Sequence, residues 1–146
     1  MIISLKTFLD EGYFGNIELG NSYAEVSCFL EKPDEIGHFK KNISIYKYKD
    51  LQLTFGNAGL IFIGLYFLER QIYLPEPITL GENFPNFPIT LQEFAIALKN
   101  ESIVTNKYKP LTFGNQDCLI SRIGVHIMFK NHVLDSFQYG AVNQKT

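Results

Sequence analysis

The sequence predicts an α+β fold: one antiparallel sheet built from two helix–βββ halves, with both helices packed on it. Three observations lead there. Two capping-box signatures, Ser22-Tyr23-Ala24-Glu25 and Thr90-Leu91-Gln92-Glu93, each open an apolar stripe at helical spacing. Each stripe is followed by short β-rich runs separated by turn residues. Four of the six prolines fall between the two patterns, at 75–88. These mark a stiff connector over 73–88 between halves at about 20–72 and 89–140, all within a single domain of 1–146.

In the first half, Tyr23, Val26, Phe29 and Leu30 share one helical face, and Pro33 is expected to stop the helix. Three strands are then expected, at Ile43–Tyr48, Leu51–Phe55 and Leu60–Leu68. Leu60–Leu68 is apolar on both faces, as a central strand should be, and Gly64 within it marks a bulge or a close neighbour. In the second half, Leu91, Phe94, Ala97 and Leu98 form the matching helical face, ending near Asn100. Strands follow at Cys118–Ile120, Val125–Phe129 and Val133–Tyr139, then a tail. The alternating and doubly apolar positions give a core of Leu53, Phe55, Ile61, Ile63, Val125, Ile127 and Phe129.

The pentapeptide Leu-Thr-Phe-Gly-Asn begins at Leu53 and again at Leu111, 58 residues apart. The capping boxes lie 68 apart, and the Leu51 and Val125 strands 74 apart. The repeat is therefore out of register with the halves. Each copy reads as a strand end running into a Gly-Asn turn, where positive φ is tolerated.

Composition bounds the function. The chain is 46% hydrophobic with a net charge of −2, so it is globular and has no basic stripe for nucleic acid. The most apolar run, Leu60–Leu68, is nine residues, far short of the ~20 a membrane helix needs. Met1–Leu5 is too short for a signal peptide, so a soluble cytoplasmic protein is expected. Cys28 and Cys118 are expected to be two buried thiols. Phosphate-loop, nucleophile-elbow and zinc-helix motifs do not occur. His38, His126 and His132 are better read as surface residues than as metal ligands. The expectation is a non-enzymatic protein with no cofactor and no metal.

Tyr46-Lys47-Tyr48-Lys49-Asp50 puts tyrosines on one face of a strand and lysines on the other. It reads either as edge-strand decoration or as part of a protein-binding surface. Glu31, Asp34 and Glu35 form an acidic patch, which is either a solvated helix end or a surface steering a basic partner. The candidate partner-binding set is thus Tyr46 and Tyr48 as anchors, with Asp50, Glu31, Asp34 and Glu35 as acidic contacts.

The segment YKYKDLQLTFGNAGLIFIGLYF, Tyr46 to Phe67, follows a capped helix. It resembles a family of small bacterial proteins of no established activity that carry a KYGDLQLxF strand-turn-strand signature. The likeness covers about residues 20–70 and implies the strand assignments there. The family glycine is Lys49 in this chain, which puts the turn before Asp50 in question. By type alone, a small acidic α+β protein without a catalytic motif is similar to the immunity proteins that bacteria pair with toxin domains. The expected function is therefore a protein-binding module that neutralises a toxin or effector domain. An effector chaperone and a small-ligand-binding domain are the alternatives. Oligomeric state is left open.

Overall fold

In the computed structural model, which describes residues 1–67 and 71–140, the chain begins with β1 (Ile2–Ile3), α1 (Leu5–Glu11) and α2 (Tyr23–Ser27). Four strands follow: β2 (Glu35–Lys40), β3 (Ile43–Tyr48), β4 (Leu51–Gly56) and β5 (Gly59–Tyr66). After β6 (Thr79–Leu80) come α3 (Leu91–Asn100), β7 (Thr105–Lys107) and a 3-10 turn over Lys109–Leu111. The last strands are β8 (Gln116–Ser121), β9 (His126–Lys130) and β10 (Val133–Gly140). Leu68, expected to end the third strand, lies outside the described residues, as does the tail after Gly140.

The eight long strands form one sheet in the order β2-β3-β4-β5-β10-β9-β8-β7, every neighbour antiparallel. Two meanders thus meet at the centre, where β5 lies beside β10 with Leu65 opposite Phe137. β1 and β6 make a separate parallel pair. An α+β fold with a mainly antiparallel sheet is what the sequence predicts. The outer strands β2 and β7 are additions to that reading. All six residues of β2 are exposed and β7 is three residues long, so neither carries an alternating burial signal.

The helices cover one face. Across it runs an apolar row set by register: Tyr48, Leu51, Leu65, Phe137, Ile127 and Leu119, from β3 to β8. Val26 of α2 and Phe94 and Leu98 of α3 belong to the same core. The connector contributes Ile78, Phe84 and Ile89, with Phe87 stacked on Phe67 at 4.4 Å. α1 was not expected, yet it supplies Leu5, Phe8 and Leu9, all fully buried, on one face at helical spacing. Phe8 meets Phe14 and Phe137 edge-on at 5.3 and 6.2 Å.

Both capping boxes are formed, Ser22 with Glu25 and Thr90 with Glu93. α3 ends at Asn100 as expected, but α2 stops at Ser27, well before Pro33. Phe29 and Leu30 reach the core through a turn whose amides both donate to the Val26 carbonyl. That short helix leaves Cys28 exposed, contrary to the expected buried thiol, whereas Cys118 is buried.

Of the expected core, Leu53, Phe55, Ile63, Val125, Ile127 and Phe129 are buried, and Ile61 is not. A bulge is the reason. The register shifts between Thr54 and Phe55, so Phe55 pairs with Leu60 and Ile61 is skipped. Leu60 then takes the core position, with 1% exposure. In the first Leu-Thr-Phe-Gly-Asn copy neither Gly56 nor Asn57 has a positive φ, and the left-handed residue of the turn is Gly59 (φ 95°), two residues beyond the copy. A side chain at Gly59 would also collide with the carbonyls of Gly20 and Asn21. In the second copy Gly114 has φ 59° in the turn between Phe113 and Gln116. Among the described residues no helix is long and apolar enough to cross a membrane.

Candidate functional site

The sheet face opposite the helices carries a different row. Register places Glu35, Lys47, Gln52, Gly64, Gln138, His126, Ile120 and Asn106 side by side across all eight strands. Most of these are polar, where the covered face presents Leu, Ile and Phe. Strands that bury one face and wet the other produce such a contrast.

Aromatic groups stand on both sides of the row. The rings of Phe62 and Tyr66 close over Gly64, so tightly that a Cβ there would lie 2.8 Å and 2.7 Å from them. The glycine expected to mark a bulge or a close neighbour therefore admits two rings and no bulge. Burial, with Asp135 nearby, pushes the Tyr66 phenol above its ordinary range. Farther along, the segment leading into the 3-10 turn folds onto this face, and Tyr108 stacks on His126 at 4.7 Å. Burial holds the His126 imidazole below its ordinary pKa, so it is neutral near pH 7. Tyr108, Leu111, Phe62, Ile120, His126 and Gln138 line a groove of about 360 Å³.

Three hydrogen bonds fix that turn. The Thr112 hydroxyl donates to the Tyr108 carbonyl and accepts from the Cys118 amide. Gln116 Nε2 donates to the Leu111 carbonyl at 2.8 Å. Beneath lie Cys118 and Met128, with 1% and 7% exposure. Burial pushes the Cys118 thiol up to about 11, which removes it as a nucleophile near neutral pH.

The expected partner-binding residues are placed elsewhere. Tyr46 and Tyr48 do share a face, but it is the helix side, because Tyr46 pairs with Leu53 and Tyr48 with Leu51. Tyr48 has 2% exposure, and burial holds its phenol far above the usual range. It is a core residue and has no surface to offer a partner. Tyr46 is half-buried, 4.5 Å from Tyr23 and 5.3 Å from Phe55. Two of the acidic groups hold loops. Asp34 Oδ2 accepts the Lys49 amide and Asp50 Oδ2 accepts the Tyr73 amide, both at 2.7 Å. Glu31 and Glu35 are exposed, with Glu35 3.7 Å from Lys47 Nζ. The structure therefore brings Asp34, Glu35 and the β3–β4 turn together and puts Glu35 on the opposite face of the sheet from the tyrosines.

The open face was partly visible in the sequence. Gln52, His126 and Gln138 are alternate residues of their strands, but only the pairing of those strands reveals that they form one row. The three histidines do not meet. His38 Nδ1 contacts Ser44 Oγ at 3.0 Å, His132 lies 3.7 Å from Asp117, and His126 stacks on Tyr108. Among the described residues no three His, Cys, Asp or Glu side chains gather as metal ligands would. The chain matches no known protein-family model, curated protein or solved structure.

Proposed function

We propose that this chain is a non-catalytic protein-binding module that docks a toxin or effector domain on the helix-free face of its sheet. The single observation that carries the reading is the polar row flanked by the half-buried Tyr66 and Tyr108. Aromatic anchors amid hydrogen-bonding groups on a rigid scaffold are the composition of an interface core. Glu31 and Glu35, exposed near one end of the row, supply charge that speeds encounter with a basic partner. The division of the sheet, four strands after α2 and four after α3, supports reading the chain as two related units. Each is one strand longer than the expected helix–βββ.

The test is co-expression with the product of the gene encoded immediately upstream. That product should be toxic alone, neutralised by this chain, and recovered in complex with it. Gln52→Arg combined with Gln138→Arg places two charges on the row and should abolish both effects while the melting temperature stays within a few degrees. A neighbouring product that is neither toxic nor bound sinks the immunity reading. Full protection by the double variant sinks the face. The groove beside Tyr108 supports a second reading, a small-ligand site. A specific thermal-shift hit that Leu111→Arg removes would favour it.

A further inference from the structure

The two edges of the sheet differ in how they are guarded. β7 is three residues long, ends in Lys107, and runs into Lys109-Pro110. Shortness, lysine and proline are the usual defences of an edge strand. β2, the other edge, is six residues long and pairs only with β3 among the described residues. Its four central positions, Ile36-Gly37-His38-Phe39, contain neither proline nor a formal charge at neutral pH. Ile36 and Phe39 are 51% and 69% exposed. Gly37 has open space where a side chain would stand.

Charge is confined to the ends of this strand, and it has a direction. Asp34 and Glu35 precede the apolar stretch, and Lys40 and Lys41 follow it. Antiparallel apposition of two such strands brings the acidic end of each against the lysine end of the other, twice. A parallel apposition stacks like on like. The bulge sharpens this match. Without it, residues 35 and 40 would project to opposite faces. The register break between His38 and Lys40 pairs Lys40 with Ile43, while Glu35 pairs with Lys47. Ile43 and Lys47 lie four apart on one strand, so Glu35 and Lys40 emerge on the same side of the sheet. Across a two-fold axis, Glu35 of one copy therefore shares a face with Lys40 of the other.

We infer that β2 is a self-association edge: two copies of this chain pair β2 with β2, antiparallel, joining their sheets into one. The interface is isologous, with the apolar stretch at its centre and Glu35–Lys40 contacts at both ends. Main-chain hydrogen bonds between the strands supply affinity, as in other strand additions. One strand on each side buries an area at or below the low end of stable interfaces, about 1,200 Å², so the dimer forms in a concentration-dependent way. The inference does not rest on the partner proposed for the open face, although Glu35 serves in both.

Sedimentation equilibrium of the full chain across a wide concentration range is the test. The parent should fit a monomer–dimer equilibrium. Glu35→Lys and Lys40→Glu should each weaken dimerisation at least tenfold, because each puts like charges at positions 35 and 40, which face each other across the two-fold axis. An equimolar mixture of these two variants should form a heterodimer tighter than either homodimer. Phe39→Lys, at a position too exposed to carry the fold, should leave only monomer with an unchanged melting temperature in dilute solution. A parent that stays monomeric throughout overturns the inference. So does self-association that is indifferent to Glu35→Lys and Phe39→Lys, or a charge-complementary mixture that does not pair.

Discussion

Lys49 holds φ at 56° in the turn between β3 and β4, a conformation that brings Cβ close to the following carbonyl in any residue but glycine. Its amide is anchored to Asp34 Oδ2, so the turn is kept although the side chain disfavours it. Lys49→Gly should stabilise the protein by about 1 kcal/mol. An unchanged or lower midpoint in urea would show that the lysine side chain contributes what its backbone loses. Thr54 poses the opposite case. It is 1% exposed on the helix-free face, and its hydroxyl has no hydrogen-bond partner among the described residues. An unpaired buried hydroxyl costs about 1–3 kcal/mol, so the isosteric Thr54→Val should raise stability by about 1 kcal/mol or more. A destabilised Thr54→Val variant would mean that a partner for the hydroxyl exists. Neither feature is legible from sequence. Lys49 looks like any turn lysine, and Thr54 looks like an ordinary solvent-facing strand residue, yet it is buried beside its cross-strand neighbours Ile45 and Phe62.

The elements most legible in the sequence are those whose start is written in side chains that satisfy their own backbone. At α3 the Thr90 hydroxyl accepts the Glu93 amide at 3.2 Å, and Glu93 Oε1 accepts the Thr90 amide at 3.0 Å. These two bonds occupy amides that the first turn of a helix otherwise leaves without partners. Thr90→Ala should therefore cost about 1 kcal/mol. The Thr90 amide, and the Thr90 hydroxyl that also donates to Glu93 Oε1 at 2.9 Å, hold the Glu93 carboxyl below its ordinary pKa. A carboxylate depressed in the folded state adds stability above its unfolded pKa, and that stability is lost as pH falls through the folded value. Thr90→Ala removes the hydroxyl's share of that shift and keeps the amide's, so it should flatten the acid side of the stability–pH curve only in part. Parallel curves for parent and variant would show that the amide alone sets the shift. α1 has equally good internal signals, with Ser4 accepting the Thr7 amide and Gly12 at φ 78° closing the helix. Reading Met1–Leu5 as a leader segment hides the helical spacing of Leu5, Phe8 and Leu9. β2 had no signal to find, because exposure on both faces erases alternation.

At the scale of the whole molecule, layer architecture follows from amphipathic periodicity, but the assignment of faces depends on strand pairing. Alternation in β3 separates Tyr46 and Tyr48 from Lys47, yet says nothing about which set meets the helices. Pairing with Leu53 and Leu51 settles it, and the two tyrosines turn inward. A single bulge at Ile61 likewise moves that residue out of the core, although the run around it is apolar on both faces. The assembled sheet makes a prediction through its two thiols. Cys28 is exposed at the end of α2, whereas Cys118 sits on β8 with 1% exposure and a thiol raised to about 11. Native protein should consume one equivalent of a thiol reagent quickly and a second only when β8 opens. β8 is held on one side by β9 and on the other by the three residues of β7. If the sheet is one cooperative unit, the slow rate rises as urea lowers the global stability. If the β7–β8 edge opens alone, the second thiol reacts well before global unfolding, with little dependence on denaturant. Mass spectrometry of the labelled peptides distinguishes the two cases. Fast labelling of Cys118 in native protein would place β8 outside the folded sheet.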